Sequence, residues 1–187
     1  MINGEDLVKY IINSFGKISN TQLQKIVYLT ELEYMKRHGE RLTNFKYVKY
    51  RYGPYSPDIL NIQNKDQNII KFNVEDSVYP AIMSMLTIGT EIKIPSDLKK
   101  EIDTIINQFK GKNASELATI AKNTEIYKDA EENNEELDMD GYAEYYKSLL
   151  SDEFWENVAK KDEENEKNGV YGKRIIKDVS ELKSIFS

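Results

Sequence analysis

Apolar positions recur at helical spacing over most of the chain, and only a few short stretches alternate as a strand does. Leu7, Tyr10, Ile11 and Phe15 share one face of a segment from Asp6 to Phe15, and Gly16 offers a natural stop. This predicts a short first helix. Ser19 or Asn20 can accept from the free amides of a second helix running to about His38, with Gly39 closing it in the left-handed conformation that side chains disfavour. At about 100° per residue, Leu23, Ile26, Val27, Thr30 and Tyr34 fall on one stripe, whereas Tyr28, Leu29, Leu32 and Met35 fall on another side. A helix apolar on two sides lies centrally.

From Phe45 to Tyr52 the chain becomes Phe-Lys-Tyr-Val-Lys-Tyr-Arg-Tyr, an aromatic-rich pattern that suits a pleated, half-buried surface and predicts a strand. The strand stops at Gly53-Pro54, and Pro57 can open a short helix to about Asn64 because its missing amide hydrogen would be unpaired there anyway. Ile69 to Val74 and Thr90 to Ile94 read as two further short strands, with Tyr79 to Leu86 open between helix and strand.

Pro95-Ser96-Asp97 starts an amphipathic helix whose Leu98, Ile102, Ile105, Ile106 and Phe109 share one face, ending at Gly111. Asn113 or Ser115 starts the next, through Leu117, Ile120 and Ala121, and a short helix covers Glu125 to about Ala130. Glu131 to Asp140 hold six acids in ten positions and read as a solvated connection. Helices resume with Tyr142, Tyr145, Tyr146 and Leu149, then with Phe154, Trp155, Val158 and Ala159. Asn168-Gly169 breaks the last of these, Val170 to Ile176 returns as strand or loop, and Ser180 to Phe186 makes a terminal turn or short helix. The pattern predicts an α+β fold, predominantly α-helical, with a helical body and a small antiparallel sheet.

Composition narrows the chemistry. The 187 residues include no cysteine and one histidine, His38, which removes disulfide frameworks, thiolate zinc sites, cysteine nucleophiles and His-pair metal sites. No apolar run reaches the roughly 20 residues that span a bilayer, and Met1-Ile2-Asn3-Gly4-Glu5-Asp6 lacks the order of a signal peptide, so a cytoplasmic protein is expected. The net charge of −6 argues against a nonspecific nucleic-acid binder. It is polarised along the chain: +3 over residues 1–60, 0 over 61–112 and −9 over 113–187. Glu136, Asp138, Asp140 and Gly141 hint at a calcium loop, but Lys147 stands where the bidentate acid belongs. No phosphate-cradling glycine motif is present. Neither metal nor cofactor is expected.

The strongest candidate surface is the tyrosine-rich strand. Strand alternation puts Phe45, Tyr47, Lys49 and Arg51 on one face, open to a partner protein or nucleic acid, and Val48, Tyr50 and Tyr52 on the core side. The opposing reading is a tyrosine-bearing core around a turn, with solvated lysines. Lys25 falls among Tyr28, Leu29 and Leu32; its ammonium meets a partner's carboxylate or a loop carbonyl, or its stem lies on apolar neighbours with the head in water.

Leu23-Gln24-Lys25-Ile26-Val27-Tyr28-Leu29, followed by Gly39, Leu42 and then Tyr50-Arg51-Tyr52-Gly53-Pro54-Tyr55-Ser56, resembles the Panacea domain of SocA-like antitoxins. Ser115 to Tyr127 resembles a later block more loosely, with Lys122 and Tyr127 standing where relatives usually show a histidine and a tryptophan, so that histidine's role does not carry over. The resemblance implies a mostly helical domain with a small sheet over residues 1–130, with 131–187 an acidic connection and helical extension. It implies an antitoxin, found beside unrelated toxins in bacteria, archaea and phages, that neutralises its toxin by direct contact and is not an enzyme. Lys25, Tyr28, Tyr47, Lys49, Arg51, Tyr55 and Ser56 are the candidate partner-binding residues, with Gly53 and Pro54 forming the turn. The alternatives are an adaptor carrying a toxin to a protease, as one branch of the family acts, and a nucleic-acid-binding regulator.

Overall fold

A computed structural model describes residues 1–72, 81–84 and 92–167. The first helix, α1, spans Gly4–Phe15 and is capped by the Asn3 side chain, which accepts from the Glu5 amide. A two-residue strand, β1 (Ile18–Ser19), leads into α2 (Asn20–His38). Both ends of α2 are written in its sequence. Ser19 and Gln22 form a reciprocal capping box, and Gly39 closes the helix at φ 63°, donating its amide to Met35 O.

The remaining elements are α3 (Pro57–Lys65), β2 (Ile69–Phe72), β3 (Ala81–Ser84), α4 (Ser96–Asn107), α5 (Ala114–Lys122), α6 (Glu125–Asp129), α7 (Met139–Leu149) and α8 (Asp152–Lys167). The sheet order is β1-β3-β2, antiparallel throughout, with Ile82 opposite Ile18 on one side and Lys71 on the other. The fold is therefore α+β and predominantly helical, as the periodicity predicts.

Helix α2 is the axis of the molecule. Every residue from Leu23 to Leu32 is buried, with α1, α4, α5 and α7 packed around it. Each large apolar side chain enclosed this way contributes about 1.5–3 kcal/mol. Full enclosure also drags Gln24, Lys25, Thr30 and Glu31 into the interior, where each polar group costs free energy unless it finds a partner. Gln24 and Glu31 are seven residues apart and so lie on one helical face. That face meets the segment between Gly39 and Ser56, which forms neither helix nor extended ladder.

Several expectations are corrected here. No strand forms over Phe45 to Tyr52; only Val48 pairs, bridging Tyr55 on one side and Glu136 on the other. The assignments of Phe45, Tyr47, Tyr50 and Tyr52 are reversed with it: Tyr47 is 0% exposed, whereas Tyr50 is 37% and Tyr52 51% exposed, and Arg51 alone of the outward set is exposed. Alternation holds only where a residue is flanked by ladder partners, and beyond Lys49 the chain turns away. Ile92 to Ile94 is irregular and not a strand, and the third strand is instead Ala81–Ser84. Thr90, Glu91, Asn73, Val74 and everything from Asn168 onward lie outside the described residues.

The acidic stretch is not wholly solvated. Glu131 to Glu136 are exposed, but Leu137 and Met139 are buried in the core. The Leu137 amide donates to Tyr47 O at 2.8 Å and the Lys49 amide donates to Glu135 O at 2.8 Å, so this segment flanks Tyr47–Lys49. Helix α7 then packs on α2.

Candidate functional site

The buried polar face of α2 holds the Gly39–Ser56 segment at three places. At its N-terminal end, Gln24 Nε2 donates to Ser56 O at 3.0 Å and Gln24 Oε1 accepts from the Ser56 amide at 2.8 Å. The amide side chain thus acts as a short strand partner for one backbone unit. Next to it, Lys25 Nζ donates to Pro54 O at 2.6 Å. Of the two readings of Lys25, the loop carbonyl is the one realised. Burial, aided by the like charge of Lys122 in α5, pushes the Lys25 amine down to about 7.

Two turns along α2, the Glu31 carboxylate collects Arg41 Nε at 2.7 Å, Thr43 Oγ1 at 2.9 Å and Tyr47 OH at 3.1 Å. Arg41 also donates to Phe45 O at 2.6 Å and to Asp140 at 2.7 Å. Burial pushes the Glu31 carboxyl up, and Arg41, Thr43 and Tyr47 pull it back. Tyr47, lying edge-on to Tyr28 with ring centroids 5.3 Å apart, is driven well above the ordinary phenol range by burial and by Glu31.

Between these anchors the chain makes its exposed feature. Tyr50 O accepts from the Gly53 amide at 2.8 Å, closing a tight turn, and also from Tyr127 OH at 2.8 Å. Gly53 sits at φ +93°, and a Cβ there would stand 3.0 Å from Lys25 Cε. Only glycine meets both demands cheaply. The turn presents Tyr50, Tyr52 and Tyr55, with ring centroids 6.0 Å (Tyr50–Tyr52) and 5.7 Å (Tyr50–Tyr55) apart, and the Arg51 guanidinium lies 4.5 Å above the Tyr52 ring. Burial raises the Tyr55 phenol, with help from Tyr50.

The candidate residues are thereby divided. Lys25, Tyr28, Tyr47 and Ser56 are buried, at no more than 2% exposure, and touch no solvent through which a partner could reach them directly. The Tyr28 hydroxyl is engaged with Thr124 at 2.7 Å. Gly53 and Pro54 are buried in the turn they shape. Arg51 is exposed, and Lys49 and Tyr55 are half-buried; Lys49 Nζ donates to Ala130 O at 2.5 Å and lies 5.1 Å from the Tyr127 ring. His38 is bound to Glu101 at 2.7 Å and stacked against Tyr34, remote from the turn along α2.

Gln24, Glu31, Arg41 and Thr43 were outside the candidate set. The signal for Gln24 and Glu31 lies in the apolar pattern itself, because a helix apolar on two sides leaves its few polar residues no route to water; Arg41 and Thr43, beyond the helix, enter as partners of Glu31. Among the described residues, no group of three or more His, Asp or Glu side chains is arranged to hold a metal, and no helix is long and apolar enough to cross a membrane.

Fold and site together define a mostly helical α+β domain whose central Leu-Gln-Lys helix fastens a Tyr-x-Tyr-Gly-Pro turn. The family model for the antitoxin SocA-like, Panacea domain matches residues 23–128, and the chain belongs to that family. The match begins at the residue preceding Gln24 and Lys25 and takes in both these side chains and the Pro54 and Ser56 backbone they hold. Membership suggests a non-enzymatic antitoxin role with a toxin as partner. No curated protein and no solved structure matches the chain.

Proposed function

We propose that this chain is the antitoxin of a toxin–antitoxin pair and neutralises its cognate toxin in the cytoplasm by direct protein–protein contact. The contact surface is the Tyr50–Tyr55 turn: Tyr50, Tyr52 and Tyr55 provide the aromatic centre, and Arg51 and Lys49 the charged margin. The observation that carries this reading is the exposure of Tyr50 and Tyr52 on a backbone pinned from beneath at Tyr50, Pro54 and Ser56. Tyrosine and arginine dominate binding hot spots because they offer large contact areas at small entropic cost. A turn already fixed in the free protein loses little further freedom on binding.

A specific interface buries at least about 1,000 Å² in total, more than this turn offers alone, so the toxin also covers flanking surface. Blocking its active region by occupancy requires no reactive group on the antitoxin. The direct test is coexpression with the product of the adjacent gene. Growth rescue together with a purifiable complex supports the proposal, and the Tyr50→Ala/Tyr52→Ala double variant is expected to lose both while remaining folded. Absence of rescue and of complex with the wild-type chain overturns it.

A further inference from the structure

Two lysines are buried among the described residues, and they are treated differently. Lys9 pairs with Glu5 at 2.6 Å and Asp66 at 3.0 Å. Lys25 has Pro54 O as its acceptor, and no carboxylate pairs with it among the described residues. An enclosed amine without a counter-charge is a poor source of stability, and an apolar side chain of similar volume serves a core at least as well. The position of Lys25 points to a different use.

We propose that Lys25 is a positioning residue for the aromatic surface: it holds the Tyr50–Tyr55 turn, through Pro54, in the shape the toxin binds, without touching the toxin. This rests on the reading that the turn is the partner surface. The turn hangs on few supports. Gly53 to Tyr50 closes it, Tyr127 holds Tyr50, Val48 and Tyr55 exchange two backbone hydrogen bonds at its base, and Gln24 grips Ser56 just beyond it. Lys25 alone among these reaches Pro54, from below, and the left-handed Gly53 brings the backbone down to within van der Waals range of its side chain. Without that donor the Pro54 carbonyl faces the interior unpaired, and a buried orphan acceptor is relieved by rotating toward water. The turn then populates other shapes, and apparent affinity falls by the fraction of molecules still in the competent one.

The charged and titratable groups around Lys25 are few. Lys122 acts on it from α5; Tyr55, next to Pro54 in the chain, and Tyr127, which holds Tyr50, have phenols raised by burial and are silent near neutrality. His38 lies thirteen residues away along the same helix, about 20 Å.

The experiment compares wild type with Lys25→Met, which keeps the stem and removes the donor. Amide exchange at Gly53 and Tyr55 is expected to accelerate about tenfold while Ile26 and Leu29 keep wild-type rates. Affinity for the adjacent-gene product is expected to drop about tenfold at neutral pH, with the melting temperature within about 3 °C of wild type. Unchanged exchange at Gly53 and Tyr55 overturns the proposal, as does equal affinity in a complex that wild type forms. If wild type forms no complex, the surface reading falls while the exchange arm still decides the clamp. Should Lys25→Met fail to fold, the Lys25 Cε resonance and the Gly53 and Tyr55 amides are followed in wild type from about pH 6 to about pH 11. A shared midpoint near 7 supports the clamp, and amides that do not follow Lys25 overturn it.

Discussion

The fully buried Glu31 carboxylate and the Arg41 side chain, 2.7 Å apart, form the ion pair at the centre of the fold. Arg41 spans from this carboxylate to exposed Asp140 at the start of α7 and to the Phe45 carbonyl. One guanidinium therefore joins α2, the irregular segment and the helix that follows the acidic stretch. Burial opposes its charge, and the Glu31 and Asp140 carboxylates together more than reverse the effect, keeping Arg41 above its ordinary value.

Removing one partner of such a pair costs more than removing both, because the survivor is left charged and dry. Arg41→Met is expected to lower unfolding free energy by about 3 kcal/mol, read by urea denaturation. The Glu31→Gln/Arg41→Met double variant is expected to regain at least half of that loss. If the double variant is as unstable as the single, stranded charge is not the source of the effect.

Tyr47 and Tyr52 lie in the same run of alternating aromatics yet should respond oppositely to change. Tyr47→Phe deletes the hydroxyl that donates to Glu31 and is expected to cost about 1.5–3 kcal/mol, the range for a hydrogen bond to a charged group. Tyr52→Ala removes an exposed ring and should change stability by no more than about 0.5 kcal/mol while weakening toxin neutralisation. Measuring both by denaturation and by growth rescue separates core from surface directly; a Tyr52→Ala variant that rescues fully removes Tyr52 from the interface.

The contrast between these two tyrosines marks the boundary of what the chain's pattern reveals. Helix ends were legible because their causes are local: Ser19 with Gln22, Asn113 with Glu116, Pro57 at a first turn, Gly39 after a last one. The path from Gly39 to Ser56 was not, because its backbone is satisfied by side chains of α2 distant in sequence. Gln24 completes Ser56, Lys25 completes Pro54 and Glu31 gathers Arg41, Thr43 and Tyr47. Strand alternation assigned Tyr47 outward on the assumption of a regular ladder, whereas a buried carboxylate draws its hydroxyl inward. Phe45 to Ser56 was thus legible as one tyrosine-rich segment ending in a turn, and the burial of its tyrosines was exchanged, Tyr47 lying inside and Tyr50 and Tyr52 outside.

The depressed Lys25 amine predicts a rise of stability with pH. Its value in the folded chain is about 7, against an ordinary 10.5. Between these limits the unfolded chain binds more protons than the folded one, so unfolding free energy increases with pH. The contribution is complete above the unfolded value and is lost as pH falls toward 7. Between about pH 7 and about pH 9 the gain is expected to be about 2 kcal/mol, and Lys25→Met should flatten it. Denaturation midpoints across this range provide the check; an equal slope in both chains rules out Lys25 as its origin.

Two glycines at positive φ test how α7 is seated. Gly16 has φ +69° with ψ −50° and Gly39 has φ +63° with ψ 24°, so alanine at either position pays a backbone penalty, about 1–2 kcal/mol in the left-handed conformation of Gly39. Their surroundings differ. A Cβ on Gly16 meets nothing within 4 Å, whereas one on Gly39 would come within 2.4 Å of Lys147 Cα, backbone that cannot rotate aside. Gly39→Ala must therefore displace α7 from the end of α2, loosening Met139 and Ala143 from the core and straining the Arg41–Asp140 contact. Gly16→Ala is expected to cost only its own backbone term, and Gly39→Ala at least about 2 kcal/mol beyond the left-handed penalty, with faster amide exchange through α7. A Gly39→Ala loss no larger than the left-handed penalty, with exchange through α7 unchanged, would mean that α7 yields without cost and that residues 139–149 lie on the domain without stabilising it.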